Sequence, residues 1–128
     1  MRILLDTHLL LWAGDEVDRL PRGARDLLAD PDVEPWFSAA SIWEISIKHA
    51  RRRADFSVEP GPFRHALLGA GFVELAVTGA HAAAVAALPP VHRDPFDRLL
   101  VAQAVSEGVQ LVTHDAALGR YPGPIRVV

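Results

Sequence analysis

Cysteine is missing from the 128-residue chain, so disulfides, thiol nucleophiles and thiolate metal sites are excluded. Long apolar runs are missing too: the first, residues 3–5, ends at Asp6, and no later stretch approaches the roughly 18 apolar residues of a membrane span. We therefore predict neither a signal peptide nor a membrane partner, and we expect a cytoplasmic location. Positive charge is not in excess, since 13 Lys and Arg stand against 16 Asp and Glu, a net charge of −3. That balance argues against a surface that binds nucleic acid everywhere and leaves only local basic patches.

The length and composition predict a single domain over residues 1–128, because half of the residues are hydrophobic and 23% are charged. Short apolar segments alternate along the chain with helical patterns. This alternation predicts an α/β fold with a central, mostly parallel sheet flanked by helices. The predicted strands are 1–5, 34–38, 72–77, 109–113 and 125–128, and the predicted helices are 8–13, 21–29, 39–53, 63–70, 79–88 and 95–107.

Four acidic residues lie in apolar segments, where an ionised carboxylate is costly. They are Asp6, Glu44, Asp97 and Asp115. A carboxylate taken out of water without a partner loses its hydration, so each one needs a compensating charge or a set of hydrogen-bond donors. For Glu44, an ion pair with Lys48 one helical turn on is one such partner.

Helix ends offer the aspartates a purely structural role. Asp6 and Asp115 stand where a helix N-cap belongs, and so does Asp94. Asp97 lies in the first turn of a predicted helix, where an acid complements the helix dipole. Taken singly, therefore, none of the acids is a functional signal.

The collective placement of the four acids predicts more than capping. Asp6 and Asp115 each follow a buried strand, and the carboxyl ends of the strands form the ligand crevice of an open α/β sheet. Asp97 begins the helix before the strand that leads to Asp115, and Glu44 lies near the start of the helix after the second strand. Like charges gathered at one edge stay ionised only around a cation, and oxygen ligands favour Mg²⁺ or Mn²⁺. We predict a divalent-metal site suited to phosphate-ester chemistry.

The chain resembles the PIN-domain ribonucleases, specifically the VapC-type toxins of bacterial toxin–antitoxin pairs, over essentially its whole length. The matching blocks, in order and spacing, are residues 4–8, residues 38–45 with Lys48, residues 92–104 and residues 111–115, the third being the most specific. The resemblance implies a three-layer PIN-like fold and an endoribonuclease that depends on Mg²⁺ or Mn²⁺. It also implies a catalytic, metal-binding quartet that corresponds to Asp6, Glu44, Asp97 and Asp115. PIN proteins often carry arginine where His114 stands, a difference that removes no acid from the quartet.

The same resemblance implies an RNA substrate, a cognate VapB-like antitoxin and a homodimer. Two other functions stay open. One is a haloacid-dehalogenase-like phosphatase, which also uses Mg²⁺ and an aspartate after the first strand. That chemistry normally requires a second aspartate two residues further on, where this chain has His8. The other is a catalytically inactive PIN domain that serves as a binding module, and the intact quartet argues against it.

Hydroxyl and charged neighbours of the acids are weaker candidates. Thr7 and Thr113 are expected to hold a carboxylate or to cap the backbone, and Ser41 lies on the helical face of Glu44. Asp94 is a cap or an outer ligand. The run 51–53 is the only concentrated positive charge, and it is either a solvated helix end or a contact for RNA phosphate.

Histidines and tryptophans complete the set of weaker candidates. A histidine ligand would point to zinc or iron, so general acid or base work is the remaining functional role for His8, His92 and His114. Each tryptophan sits in an apolar run, which favours packing in the core or at a dimer surface over stacking on bases for Trp12, Trp36 and Trp43.

The net charge is easier to interpret once the proposed site is separated from the rest. Without the quartet, twelve acids stand against 13 bases, so the remainder of the chain is slightly positive. The acidity is concentrated at the proposed metal site. An RNA substrate is therefore compatible with the charge, with modest affinity carried by local patches.

Overall fold

The computed structural model describes residues 1–51 and 56–128, in which strands alternate with helices. The strands of this part are β1 (Arg2–Leu5), β2 (Glu34–Ser38), β3 (Val73–Leu75), β4 (Gln110–Thr113) and β5 (Ile125–Val127). The α-helices are α1 (Thr7–Asp15), α2 (Arg22–Ala29), α3 (Ala39–Ala50), α4 (Pro60–Gly69), α5 (Gly79–Ala84) and α6 (Pro95–Glu107). Short 3₁₀ turns follow α1, α5 and β4.

The five strands form one sheet in the order β3-β2-β1-β4-β5, and every neighbouring pair is parallel. The chain runs outward from β1 through β2 to β3, then returns to the other side of β1 for β4 and β5. The strand order therefore reverses between β1 and β4. The predicted α/β fold with a parallel sheet is confirmed.

Successive side chains of the central strands point alternately into two separate hydrophobic cores. Ile3 and Leu5 point into a core shared with helices α1 to α4, whereas Leu4 points into the core beneath α6. In β4 the same alternation sends Val112 to the first core and Leu111 to the second. Because successive residues of a strand face opposite sides, an apolar run without alternation requires helices on both faces. The result is a three-layer arrangement with the sheet in the middle.

Several predicted boundaries are wrong. Helix α4 begins at Pro60, three residues before the predicted start, because prolines fit the first turn of a helix, whose N–H groups have no partner inside the helix. Helix α5 ends at Ala84, four residues before the predicted end, and a 3₁₀ turn follows it. Strand β3 covers only Val73–Leu75 of the predicted 72–77, since it pairs with the last three residues of β2 and lies at the edge of the sheet.

Helix α3 ends at Ala50 with Arg51 as its C-cap, three residues before the predicted end. The last two residues of its predicted span, Arg52 and Arg53, lie outside the described residues.

A membrane-spanning helix must be both long and apolar. In residues 1–51 and 56–128, no helix is long and apolar enough to cross a bilayer.

Candidate active site

The reversal of strand order brings two of the predicted site residues to the middle of the sheet. Asp6 directly follows β1, and Asp115 lies two residues after the end of β4, its neighbour in the sheet. In parallel sheets this switch point opens a crevice at the carboxyl ends of the strands. On the other side of β1, strand β2 leads directly into α3, which carries Glu44 in its second turn.

Asp6 is almost entirely buried, with 3% of its surface exposed. Its Oδ1 accepts the backbone N–H of Leu9 at 2.9 Å and thereby caps α1, and its Oδ2 accepts the hydroxyl of Thr113 at 2.5 Å. Burial raises the pKa of the Asp6 carboxyl above its ordinary value, although the bonds from Thr113 and Leu9 oppose that shift. The predicted cap and the predicted hydroxyl partner of this carboxylate are both present, on the two different oxygens.

Asp97 stands in the first turn of α6, whose N-cap is Asp94. Burial is the main reason that the pKa of the Asp97 carboxyl is raised. The nearby negative charges of Asp94, Asp6 and Glu44 raise it further. Together they bring the pKa of Asp97 from 3.8 to about 7, despite the opposing effect of His92. The acids of three separate elements are therefore close enough to compete for ionisation.

Glu44 carries a buried carboxylate oxygen that nothing in the described part of the chain satisfies. Its side chain is 12% exposed, and Oε2 lies 3.5 Å from the ammonium of Lys48, the predicted partner one turn on. Oε1 is buried and has no hydrogen-bond partner among the described residues. Because buried carboxylate oxygens are costly when unpaired, this atom is available to a ligand that carries positive charge.

His92 joins the carboxylates of Asp97 and Asp115. One ligand atom from each of the three residues lies within 4.8 Å of the others, with His92 Nε2 at 3.1 Å from Asp115 Oδ2 and 3.7 Å from Asp97 Oδ2. Nδ1 of the ring accepts the backbone N–H of Asp94 at 3.1 Å. In the neutral ring the proton is then on Nε2, so His92 donates to the Asp115 carboxylate and orients it.

Two further side chains hold His92 in place. The hydroxyl oxygen of the buried Tyr121 accepts the His92 backbone N–H at 2.9 Å. Arg98 also donates to that hydroxyl, at 3.1 Å, and to the carbonyl of Pro89 at 3.0 Å. The role of His92 was missed in the sequence, because its contact with Asp115 spans 23 residues and leaves no local pattern. Its position two residues before the Asp94 cap is the only available signal.

We expect replacement of His92 to weaken the site through Asp115. In His92→Ala the donor to Asp115 is lost, and divalent-ion affinity or turnover should fall by about 10-fold to 100-fold, the usual effect of losing an outer partner of a ligand. His92→Gln retains an N–H donor at a similar reach and should recover most of that loss. Mn²⁺ titration by calorimetry measures the effect, with His65→Ala on the exposed surface of α4 as the matched control. Equal losses in the Ala and Gln variants would show that the bond to Asp115 is not responsible.

Other predicted neighbours of the acids have structural roles. The hydroxyl of Thr7 donates to the hydroxyl of Ser41 at 2.9 Å, and both residues are buried, so of the two roles expected of Thr7 that of holding a carboxylate is wrong. The hydrogen bond between these two hydroxyls ties α1 to α3. Asp94 caps α6 by accepting the backbone N–H groups of Phe96 and Asp97, as predicted.

The tryptophans differ in their packing. Trp12 and Trp36 are partly buried against the two cores, as predicted. Trp43 is 62% exposed, so the core is the wrong one of its two expected places, and packing at a dimer surface stays a prediction. It lies one residue before Glu44, whose side chain turns inward, and helical geometry points consecutive side chains about 100° apart.

A cleft of about 360 Å³ lies next to the acids, although none of the four acids lines it. Its lining includes His8, Lys48 and Arg51, and Arg19 lies in the same wall. Since Lys48 also pairs with Glu44, the cleft and the acid cluster adjoin each other. Asp15 and Glu16 also line the cleft, so its net charge is small. Arg51 is the first residue of the basic run 51–53, and that run therefore contributes to the cleft.

The donor set fits a hard divalent cation. The groups at this edge are four carboxylates and the imidazole of His92. The buried oxygen of Glu44, which has no partner among the described residues, and the space shared by Asp97 and Asp115 are the positions that a positive charge would satisfy. Oxygen donors of this kind suit Mg²⁺ or Mn²⁺. Without a cation, the cluster lowers its repulsion by keeping a proton on Asp97, as the raised pKa indicates.

Comparison with known families defines the class. The family model of the PIN domain matches residues 3–124. The chain therefore belongs to the PIN domain family, as the four sequence blocks predict. It is 32% identical over 129 residues to Ribonuclease VapC22 of Mycobacterium tuberculosis (strain ATCC 25618 / H37Rv), a match that covers 98% of this chain and 97% of that protein.

Solved structures share the fold. VapBC2 from Rickettsia felis bound to a DNA fragment from their promoter superposes with a TM-score of 0.73 at 14% identity, covering 99% of this chain and 98% of that one. DNA-bound VapBC from Salmonella typhimurium gives 0.66 at 18% identity and covers 100% and 97%. The predicted three-layer PIN-like fold is thus confirmed.

Proposed function

We propose that this chain is a metal-dependent endoribonuclease that hydrolyses RNA phosphodiesters with Mg²⁺ or Mn²⁺. The observation that carries the proposal is the crowding of carboxylates around Asp97. A ligand oxygen of Asp115 lies within 4.8 Å, and the charges of Asp6 and Glu44 contribute to a pKa of about 7. The 32% identity to a protein named as a ribonuclease supports RNA as the substrate.

We assign catalytic and metal-binding roles to Asp6, Glu44, Asp97 and Asp115. A divalent ion held by these residues would activate a water as nucleophile and neutralise charge on the phosphate. Asp97 would hold the ion in its ionised form, and Glu44 would offer the oxygen that has no partner among the described residues. Thr113 and His92 keep the carboxylates of Asp6 and Asp115 oriented while the charges around them change.

The cleft beside the acids is the proposed path of the RNA backbone. Lys48 and Arg51 line it with positive charge, and it adjoins Glu44 through Lys48. Phosphates attract such groups in a salt-dependent way, and the small net charge of the cleft fits a modest contribution to affinity. Membership of the PIN family argues against the haloacid-dehalogenase-like phosphatase as the alternative.

The nuclease proposal is tested by incubating the purified chain with total cellular RNA and Mn²⁺. We expect cleavage that EDTA abolishes and an excess of Mn²⁺ restores, and we expect none from Asp97→Asn. An inactive PIN binding module would bind RNA and leave it intact. Cleavage that survives both EDTA and the substitution would come from a contaminant and contradict the proposal.

We further propose that the chain is the toxin of a toxin–antitoxin pair. The names of its structural neighbours, which are VapBC and toxin–antitoxin complexes, support a VapB-like antitoxin as partner. An acidic site of this kind attracts an arginine side chain as readily as a cation. A homodimer and a cytoplasmic location belong to the same proposal. Co-expression with the product of an adjacent small reading frame, followed by co-purification, tests the pairing; no association would remove the toxin role and leave the nuclease intact.

A further inference from the structure

Trp43 is the most exposed large apolar side chain of the described residues, with 62% of its surface open to solvent. The indole packs against the ring of Phe96 in a T-shaped contact, with ring centroids 5.2 Å apart and an interplanar angle of 68°. This contact holds the indole against one neighbour while most of its surface stays open to solvent. An aromatic ring that is held in this way and exposed is available to stack on a ligand.

The aromatic pair, Trp43 and Phe96, borders the acid site from two helices. Trp43 precedes Glu44 on α3, and Phe96 precedes Asp97 at the start of α6. The two helices contact each other, so the pair and the two acids belong to one junction between α3 and α6. A nucleotide next to a phosphodiester bound at these acids would have the pair within reach.

The exposed apolar area of the pair is small. Two aromatic rings offer at most about 500 Å², whereas a stable interface needs roughly 800 Å² from each partner, so the pair by itself would fill only part of one. The other large exposed apolar side chains of the described residues lie on different elements or at the far end of α6: Met1, Val17, Leu68, Val77, Val105 and Val127. The size of the patch instead matches one nucleobase.

We infer that Trp43, braced by Phe96, is a stacking platform for one unpaired base next to the scissile phosphate of single-stranded RNA. The inference rests on the proposed ribonuclease activity. Stacking of bases on aromatic rings tolerates any base, because every base has a π-face, and it requires a base free of its own duplex. The platform would thus select unpaired RNA and fix the register of cleavage, while the acids act on the phosphate.

Binding is tested in the Asp97→Asn background, where RNA stays intact. Titration with random-sequence single-stranded RNA should quench tryptophan fluorescence, and Trp43→Phe should remove most of the quenching while it preserves binding. Trp43→Leu keeps an apolar side chain without a π-face and should weaken binding by about 10-fold, within the range measured for stacked bases. Val105→Ala, another exposed apolar position, is the matched control and should bind like the parent.

Kinetics in the wild-type background separate the platform from the nuclease. Trp43→Leu should raise KM for single-stranded RNA and blur the cleavage register, with kcat reduced far less than by loss of an acid. If Trp43→Leu binds and cuts like wild type while cleavage stays metal-dependent, the platform is wrong and the nuclease proposal stands. If the wild type neither binds nor cuts RNA, both fail. Loss of binding that accompanies a change in sedimentation coefficient would instead identify an interface between copies and overturn the inference.

Discussion

Asp97→Asn is expected to stabilise the metal-free protein and, at the same time, to abolish RNA cleavage. Loss of an outer partner already costs about 10-fold to 100-fold at metal sites, so loss of a proposed ligand should cost more than about 100-fold in turnover. The stability gain arises because the wild-type carboxyl must ionise among buried acids at neutral pH. The asparagine has the same shape and carries no charge.

The gain in the free energy of unfolding should depend on pH in a defined direction. The pKa of Asp97 is about 7 in the folded chain and 3.8 ordinarily, so between these values the folded state binds more protons than the unfolded state. Wild-type stability therefore falls as pH rises from about 4 to about 7 and levels off above. Each pKa unit corresponds to about 1.4 kcal/mol, but the side chain is 20% exposed and solvent screens part of the repulsion. We expect a gain on the order of 2 kcal/mol at pH 8.

Thermal unfolding in EDTA measures this difference as a melting temperature about 7 °C higher for Asp97→Asn at pH 8. The difference should shrink towards zero near pH 4. Asp26→Asn, on the exposed face of α2, is the matched control and should leave both stability and cleavage unchanged. A variant that is less stable than wild type at pH 8, or a gain that is independent of pH, would show that Asp97 is not under electrostatic strain.

Addition of Mn²⁺ or Mg²⁺ is expected to raise the melting temperature of the wild type, because a cation that binds only the folded state stabilises it. When the free metal concentration is 100 times the dissociation constant, the free energy of unfolding rises by about 2.7 kcal/mol. For a domain of this size, that raises the melting temperature by roughly 10 °C. Glu44→Gln should lose most of that shift, since it removes the negative charge beside the buried oxygen that has no partner in the described part of the chain.

The same titration contains its own controls. Glu59→Gln lies on the exposed surface before α4, where its side chain makes no capping bond, and it should show the full metal-induced shift. Calorimetric titration with Mn²⁺ reports the stoichiometry and thus separates one bound ion from two. A full shift in Glu44→Gln would place the cation away from this carboxylate, and the same small shift in all variants would indicate binding outside the acid cluster.

Much of the fold followed from local patterns. The apolar run 3–5 predicted a central strand because only a strand covered on both faces has no alternation, and the two cores on either side of β1 confirm this. Boundaries were less certain where local rules compete. At α4 a proline was equally compatible with a loop and with the first turn of a helix, and contacts of Phe63 and Leu67 with the core decided for the helix.

The candidate site divides in the same way. The four acids were predicted from their positions at the ends of strands and near the starts of helices at the carboxyl edge of a parallel sheet. That Thr113 would hold a carboxylate was also predicted, but not that the carboxylate belongs to Asp6, which is 107 residues away. The bond from His92 to Asp115 spans 23 residues and could not be predicted either. The exposure of Trp43 could not be predicted either, because an apolar run in a helix does not show which face of that helix other elements cover.

The sequence by itself determined the layered α/β fold and the family and predicted the four acids of the site, because periodicity, strand ends and motif spacing are local properties. Only the tertiary structure decided how those acids are charged. Burial and the nearby charges of Asp94, Asp6 and Glu44 give Asp97 a pKa of about 7, and the same packing leaves an oxygen of Glu44 without a partner among the described residues. The same packing turned His92 towards Asp115 and left the Trp43 ring in solvent. These properties depend on distances between elements, which the packing of helices on the sheet fixes and the order of residues does not encode locally.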